Sequence, residues 1–131
     1  MTRLDFFGPG ARAHHVGLAV ASIAALVPDA EITHDPVQKV KVAFVDFAGQ
    51  PVELIEPADD ASPVSQNLRK GQTLVHIAIE VPDIEAAVAT ARTHGFSRLA
   101  KPVPATAFDN RPIAWLVSRH YGLVELIEAA P

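Results

Sequence analysis

Val52-Glu53-Leu54-Ile55-Glu56 and Val124-Glu125-Leu126-Ile127-Glu128 spell one pentapeptide, VELIE, twice in a chain of 131 residues. Each copy is a short apolar run rich in β-branched residues and reads as a strand. Val52 and Leu54, like Val124 and Leu126, alternate with a glutamate aimed at the opposite face. Outward from the pentapeptides the likeness continues. VAFVDFAGQPVELIEP aligns with IAWLVSRHYGLVELIEAA, and upstream VGLAVASIAAL aligns with IAIEVPDIEAA. A match of that length marks an internal duplication rather than a chance repeat of strand-forming residues.

The flanking segments supply the rest of each half. Ala13–Val20 and Leu74–Val81 alternate as strands, with His15, Gly17 and Ala19 on one face and Val16, Leu18 and Val20 on the other. The second strand repeats this: His76, Ala78 and Glu80 oppose Val75, Ile77, Ile79 and Val81. In both, the histidine row is expected to be open and the apolar row packed under a helix. Ser22 caps a short helix, SIAAL, which Pro28 limits. Pro82 stands just inside a longer helix, DIEAAVATARTHG, with Ile84, Ala87, Val88 and Ala91 at helical spacing and Gly95 at its end. A short strand is expected near Glu31–Thr33, a long one over Lys39–Phe47, and two more over Pro112–Ser118 and Leu123–Glu128. ADDASPVSQNLRKGQ reads as a connector with one helical turn, and KPVPATAFDNRP as a Pro-rich connection. The expected fold is α+β: one domain over 1–131, with two βαβββ modules at about 13–58 and 73–130 forming a curved mixed sheet around a cleft.

Composition narrows the function. Eleven Lys and Arg against 15 Asp and Glu give a net charge of −4, the wrong sign for neutralising nucleic-acid phosphates or an anionic membrane. The absence of cysteine excludes disulfides, thiolate metal sites and thiol nucleophiles. No apolar run is long enough to span a bilayer, and MTRLDFFGPGARAHH lacks the apolar core of a signal peptide. A cytoplasmic protein with a small-molecule substrate is the expectation.

Duplication places a histidine on the first strand and a glutamate on the last strand of each half: His15 with Glu53, and His76 with Glu125. Parity lets all four side chains share one face of the sheet. Two imidazoles and two carboxylates suit a divalent ion such as Zn, Ni, Co or Mn. Singly, each of these residues reads equally well as an ordinary strand side chain; their equivalent places in a repeated unit make them a candidate ligand set. His14 falls on the packed parity. Glu56 and Glu128 read as solvated charges at strand ends, and Phe44 and Trp115 as core residues.

HHVGLAV, QKVKVAFVDFAGQPVELIEP, LVHIAIEVPDIEAAV and GLVELIEA resemble the vicinal oxygen chelate superfamily of glyoxalases, bleomycin-resistance proteins and dioxygenases. The resemblance runs from His14 almost to the end. It is nearest to methylmalonyl-CoA epimerases and lactoylglutathione lyase-like members, notably in SPVSQNLRKG and HIAIEVPDIEAA. It implies one divalent metal ion held by His15, Glu53, His76 and Glu125, an isomerase or lyase acting beside a carbonyl, and a homodimer. Extradiol dioxygenases of this superfamily use three protein ligands, and antibiotic-sequestering members usually none. A metal there would stabilise an enolate while a carboxylate, Glu125 or Glu53, moves the proton. Glu80, Arg111 and Lys41 are candidate substrate contacts, Arg111 as a fork-shaped donor to an anion.

One departure bears on the chemistry. Epimerases of this family resemble one another in a Pro-Glu-Gln-Gly-Val segment whose glutamate is one of two opposed bases. Here the segment reads Pro36-Val37-Gln38-Lys39-Val40, and valine accepts no proton. A one-base lyase or isomerase acting on an acyl-CoA or thiol adduct is compatible with that change. So is a binding protein of the same fold that sequesters a small molecule without turnover.

Overall fold

In the computed structural model, which describes residues 1–131, the two pentapeptides lie in matching strands. The first half runs β1 (Arg12–Ala19), α1 (Ile23–Leu26), β2 (Thr33–Asp35), β3 (Val40–Phe47) and β4 (Gln50–Pro57). After α2 (Pro63–Arg69), the second half runs β5 (Leu74–Val81), α3 (Ile84–Arg92), β6 (Phe96–Arg98), β7 (Val103–Ala105), β8 (Arg111–Ser118) and β9 (Gly122–Glu128). VELIE occupies β4 and β9. Each pairs in parallel with the first strand of its half, putting Glu53 opposite Gly17 and Glu125 opposite Ala78. Each also pairs antiparallel with the strand before it, so Phe44 stands opposite Glu53 and Trp115 opposite Glu125. The result is the expected α+β fold with mixed strand pairing, ordered β2-β3-β4-β1 in one half and β5-β9-β8-β6 in the other, with β7 on β8.

Two compact units result: one comprises His15–His76 and Ala105–Asn110, the other Met1–His14, Ile77–Pro104 and Arg111–Pro131. The first is built around β4, which is buried on both faces. Val52 and Leu54 pack with Ile23 and Ala43, while Ile55 packs with Ala19, Val40, Val42 and Val64. Burial on both sides explains why the pentapeptide carries apolar residues on each face, Val52 and Leu54 on one and Ile55 on the other. In the second unit Leu126 and Val124 join Val81, Ile84, Ala87, Val88, Ala91, Phe96, Ala114 and Leu116. The N-terminal Phe6 and Phe7 pack against that cluster, Phe6 lying 5.6 Å from Phe96 between ring centroids.

α1 and α3 each begin on a side-chain cap. Ser22 Oγ accepts the Ala25 N–H at 3.2 Å and Asp83 Oδ1 accepts the Ala86 N–H at 3.0 Å. Asp83 caps α3, so Pro82 stands before the helix and not inside it. Glu56 and Glu128 are not the solvated edge charges expected. Glu56 Oε1 accepts the Ile23 N–H at 2.8 Å, and Glu128 Oε2 accepts the Ile84 N–H at 3.0 Å. The last glutamate of each VELIE thus occupies an orphan donor at the start of its own half's helix.

Three other expectations shift. The histidine row of β1 is buried and not open: His15 is 2% and Ala19 3% exposed, whereas Val16 and Leu18 on the helix side are only half-buried. With four residues, α1 is too short to cover that side. The connector around SPVSQNLRKG makes α2, seven residues and two turns rather than one. KPVPATAFDNRP is not a plain connection, since it holds β7 and a 3-10 turn over Thr106–Phe108.

Candidate metal centre

His15 lies near the middle of β1, His76 near the start of β5 and Glu53 in the middle of β4. Their nitrogens and oxygen converge: His15 Nε2 is 3.1 Å from His76 Nε2 and 3.5 Å from Glu53 Oε1, and His76 Nε2 is 3.6 Å from Glu53 Oε1. All three residues are buried. Gly17 makes room for the arrangement. A Cβ there would fall 2.6 Å from Nδ1 and 2.7 Å from Nε2 of His76, inside van der Waals contact, so any side chain would displace the imidazole.

The spacing is that of ligands to one ion. Donor atoms about 2.0–2.2 Å from a common metal lie roughly 2.8–3.1 Å apart at right angles and roughly 3.3–3.6 Å apart at tetrahedral angles. The protonation state agrees. Burial, and then the neighbouring His15, pull the pKa of His76 down to about 3, so at neutral pH its imidazole is uncharged and can offer a lone pair. Two imidazoles and one carboxylate, buried and convergent, fit a divalent transition ion.

Aromatic rings border the cluster. Phe44, on β3 beside Glu53, meets His15 edge-on with centroids 5.2 Å apart, and at 43% exposure it is not the core residue expected. Phe108, from the 3-10 turn, stacks on His15 at 5.6 Å and lies 5.7 Å from Phe44. Sequence reading missed Phe108 because its segment looked like linker. It also passed over Gly17, although a glycine inside an alternating strand two residues after a candidate ligand signals close approach.

The remaining candidates fall elsewhere. Glu125 belongs to the other compact unit, where it is 2% exposed and stands opposite Ala78 just as Glu53 stands opposite Gly17. Lys41 is engaged on the other face of its strand. It pairs in register with Glu56 and approaches that carboxylate at 3.6 Å, which puts it on the helix side of β3, away from the row of Phe44 and Glu53. Glu80 and Arg111 bind each other: Arg111 donates to Glu80 Oε2 at 3.1 Å and to the Glu128 carbonyl at 3.3 Å, and Arg12 donates to Glu80 Oε1. The hydrogen bond from Arg12, with that from Arg111, holds the Glu80 carboxyl below its ordinary pKa against the opposing effect of burial. Val37 sits 63% exposed on a turn. The buried Asp35 ties that turn by accepting the Val37 and Gln38 N–H groups at 3.0 and 3.1 Å.

Comparison with known families bears on the same residues. The profile of the Glyoxalase/Bleomycin resistance protein/Dioxygenase superfamily matches residues 14–115. The chain belongs to this superfamily. A mitochondrial methylmalonyl-CoA epimerase of Dictyostelium discoideum is 31% identical over 102 residues, which cover 72% of this chain and 61% of that protein. The match thus spans less than two thirds of that relative's length. Among solved structures, a hypothetical protein of Bacillus halodurans superposes with a TM-score of 0.77 at 27% identity, covering 93% of this chain and 96% of that one. A Streptomyces coelicolor methylmalonyl-CoA epimerase variant in complex with 2-nitronate-propionyl-CoA superposes with a TM-score of 0.75 at 26% identity, covering 91% and 94%. No helix of this superfamily member is long and apolar enough to cross a membrane.

Proposed function

We propose that this chain is a divalent-metal-dependent isomerase or lyase of the glyoxalase and epimerase type, enolising a carbonyl compound carried as an acyl-CoA or a thiol adduct. The convergence of His15 Nε2, His76 Nε2 and Glu53 Oε1 within 3.6 Å of one another carries the reading. The kinship with epimerases supports the reaction class. Zn, Ni, Co or Mn would be held by these three residues, with Glu125 proposed as the fourth ligand from its matching register in the second half. When bound, such an ion supplies Lewis-acid polarisation of a carbonyl oxygen.

The chain's own part is to hold buried, convergent donor atoms in place. His76, uncharged above about pH 3, presents a lone pair at every physiological pH. Gly17 fixes where its ring lies. A carboxylate of the set, Glu125 or Glu53, is the group proposed to take the carbon-bound proton and return it. Val37 provides no base on the opposite side, so one base moving the proton on a single face is the expected mode.

Solvent-deuterium exchange on the metal-loaded protein tests this. The substrates are methylmalonyl-CoA and, separately, the hemithioacetals of glutathione with methylglyoxal and with phenylglyoxal. Label entering at the carbon next to the carbonyl of at least one of them, and lost in His76→Ala, is the expected result. Stoichiometric metal with tight adduct binding but no exchange on any of them would overturn the enzyme reading in favour of sequestration. Protein purified without a polyhistidine tag and devoid of divalent metal would overturn both.

A further inference from the structure

The proposed function leaves open which carbonyl compounds fit, and the rings around His15 bear on that choice. Phe44 and Phe108 touch each other and both touch the His15 ring. Phe108 is 6% exposed and lies nearly parallel to the His15 ring, with an interplanar angle of 29°. Phe44 meets both rings edge-on, at 86° to His15 and 60° to Phe108. Although Phe44 is in contact with a histidine that is 2% exposed, Phe44 itself is 43% exposed. Phe44 thus carries uncovered aromatic surface and at the same time touches the ring of a candidate ligand.

The cation that sequence reading offered to this neighbourhood is elsewhere. Lys41 is one residue out of phase with Val42 and Phe44 along β3, and its ammonium goes to Glu56. A substrate carboxylate placed against Phe44 and Phe108 would lose hydration without gaining a charged partner from that strand, at a cost of kilocalories. An apolar or aromatic substituent placed there would cover Phe44 and gain both burial and ring contact. Ligand pockets are commonly built in this way, from apolar walls around a few convergent polar atoms.

We propose that Phe44, backed by Phe108, is the specificity-determining wall of the site. It selects ligands whose two chelating oxygens carry an apolar, preferably aromatic, substituent, and it disfavours ligands carrying a free carboxylate at that place. This rests on the reading of His15, Glu53 and His76 as metal ligands, and the test separates the two.

The probes are three bidentate oxygen chelators that differ only in substituent: benzohydroxamate, acetohydroxamate and the monohydroxamate of succinate. Each is titrated by calorimetry into Zn-loaded protein whose metal content has been measured. Benzohydroxamate is expected to bind about tenfold or more tightly than acetohydroxamate, with the succinate derivative weakest. In Phe44→Ala that preference should fall to within about twofold while metal stoichiometry stays at wild type. Phe44→Leu, which keeps apolar bulk and guards against a misfolded alanine variant, should retain part of it. Equal binding of all three chelators to the Zn-loaded wild type would overturn the wall and leave the metal reading standing. So would a preference that survives in both variants. Failure of the wild type to hold zinc would overturn both.

Discussion

A single missing methyl group decides whether the three candidate ligands can meet. Gly17 sits beside His76 so closely that a Cβ would overlap the imidazole, and its backbone is ordinary extended strand, so the requirement is space and not conformation. Gly17→Ala is therefore expected to fold but to lower zinc affinity at least tenfold by pushing the ring off the common centre, measured by competition with a zinc indicator dye. The counterpart position in the second half is Ala78, where a Cβ is present. That asymmetry was visible in HHVGLAV against LVHIAIE. Parity identified His15, Glu53 and His76 as residues of one face, because alternation in a strand is a local property. Phe108 was invisible to it, since stacking on His15 depends on the path of a loop. His76 also gives the metal-free protein a pH dependence. Its folded pKa of about 3 lies below the unfolded value near 6.5, so between these limits the unfolded chain binds the extra proton. Stability of the chelator-treated protein should therefore fall as pH drops from roughly 6.5 towards 3, by an amount on the order of a few kcal/mol. Urea midpoints in that range should show the slope, and His76→Gln should flatten it.

At the scale of elements, α1 and α3 are each anchored by two acceptors, one from the residue before the helix and one from the far strand of its half. For α3 these are Asp83 and Glu128; for α1 they are Ser22 and Glu56. α3 also buries Ile84, Ala87, Val88 and Ala91, so its start is held by hydrogen bonds and its flank by packing. Glu128→Gln keeps an acceptor but loses the charge at the positive end of the helix, a loss of about 0.3–1 kcal/mol. Glu128→Ala loses both, and about 1–2 kcal/mol is expected from denaturant unfolding. The order alanine below glutamine below wild type checks the hydrogen bond itself. Helix spacing, capping residues and strand alternation fixed most of these elements in advance. The second glutamate of VELIE was misread because alternation reports which face a side chain takes, whereas its partner is an N–H from another element. β6, β7 and the 3-10 turn escaped for a related reason. They are three residues each, shorter than any period can register, and β6 and β7 are held by pairing with β8 rather than by their own sequence.

For the molecule as a whole, the proposed site links metal to stability. Three buried polar groups that converge without an ion are stabilised when one binds, because the unfolded chain has no such arrangement. Zinc at a free concentration about 100 times its Kd should add roughly 2.7 kcal/mol, raising Tm by about 10 °C for a chain of this size. Scanning calorimetry with zinc and with chelator measures the difference, and His76→Ala should show none. The duplication was legible because both halves preserve the order strand, helix, strands. The allocation of segments to compact units was not. Ala105–Asn110 lies between two strands of the second half and yet packs with His15–His76.

The paired glutamates of β4 have one more implication. Glu53 reaches the two histidines, and three residues later Glu56 holds the first amide of α1. Sliding that strand by one residue would turn Leu54 towards the imidazoles and leave the Ile23 amide without its carboxylate. A two-residue slide would restore the faces but still misplace both carboxylates. The pentapeptide thus works as a vernier: its two acidic marks align with their targets at a single setting, and drift along the strand is penalised at both ends.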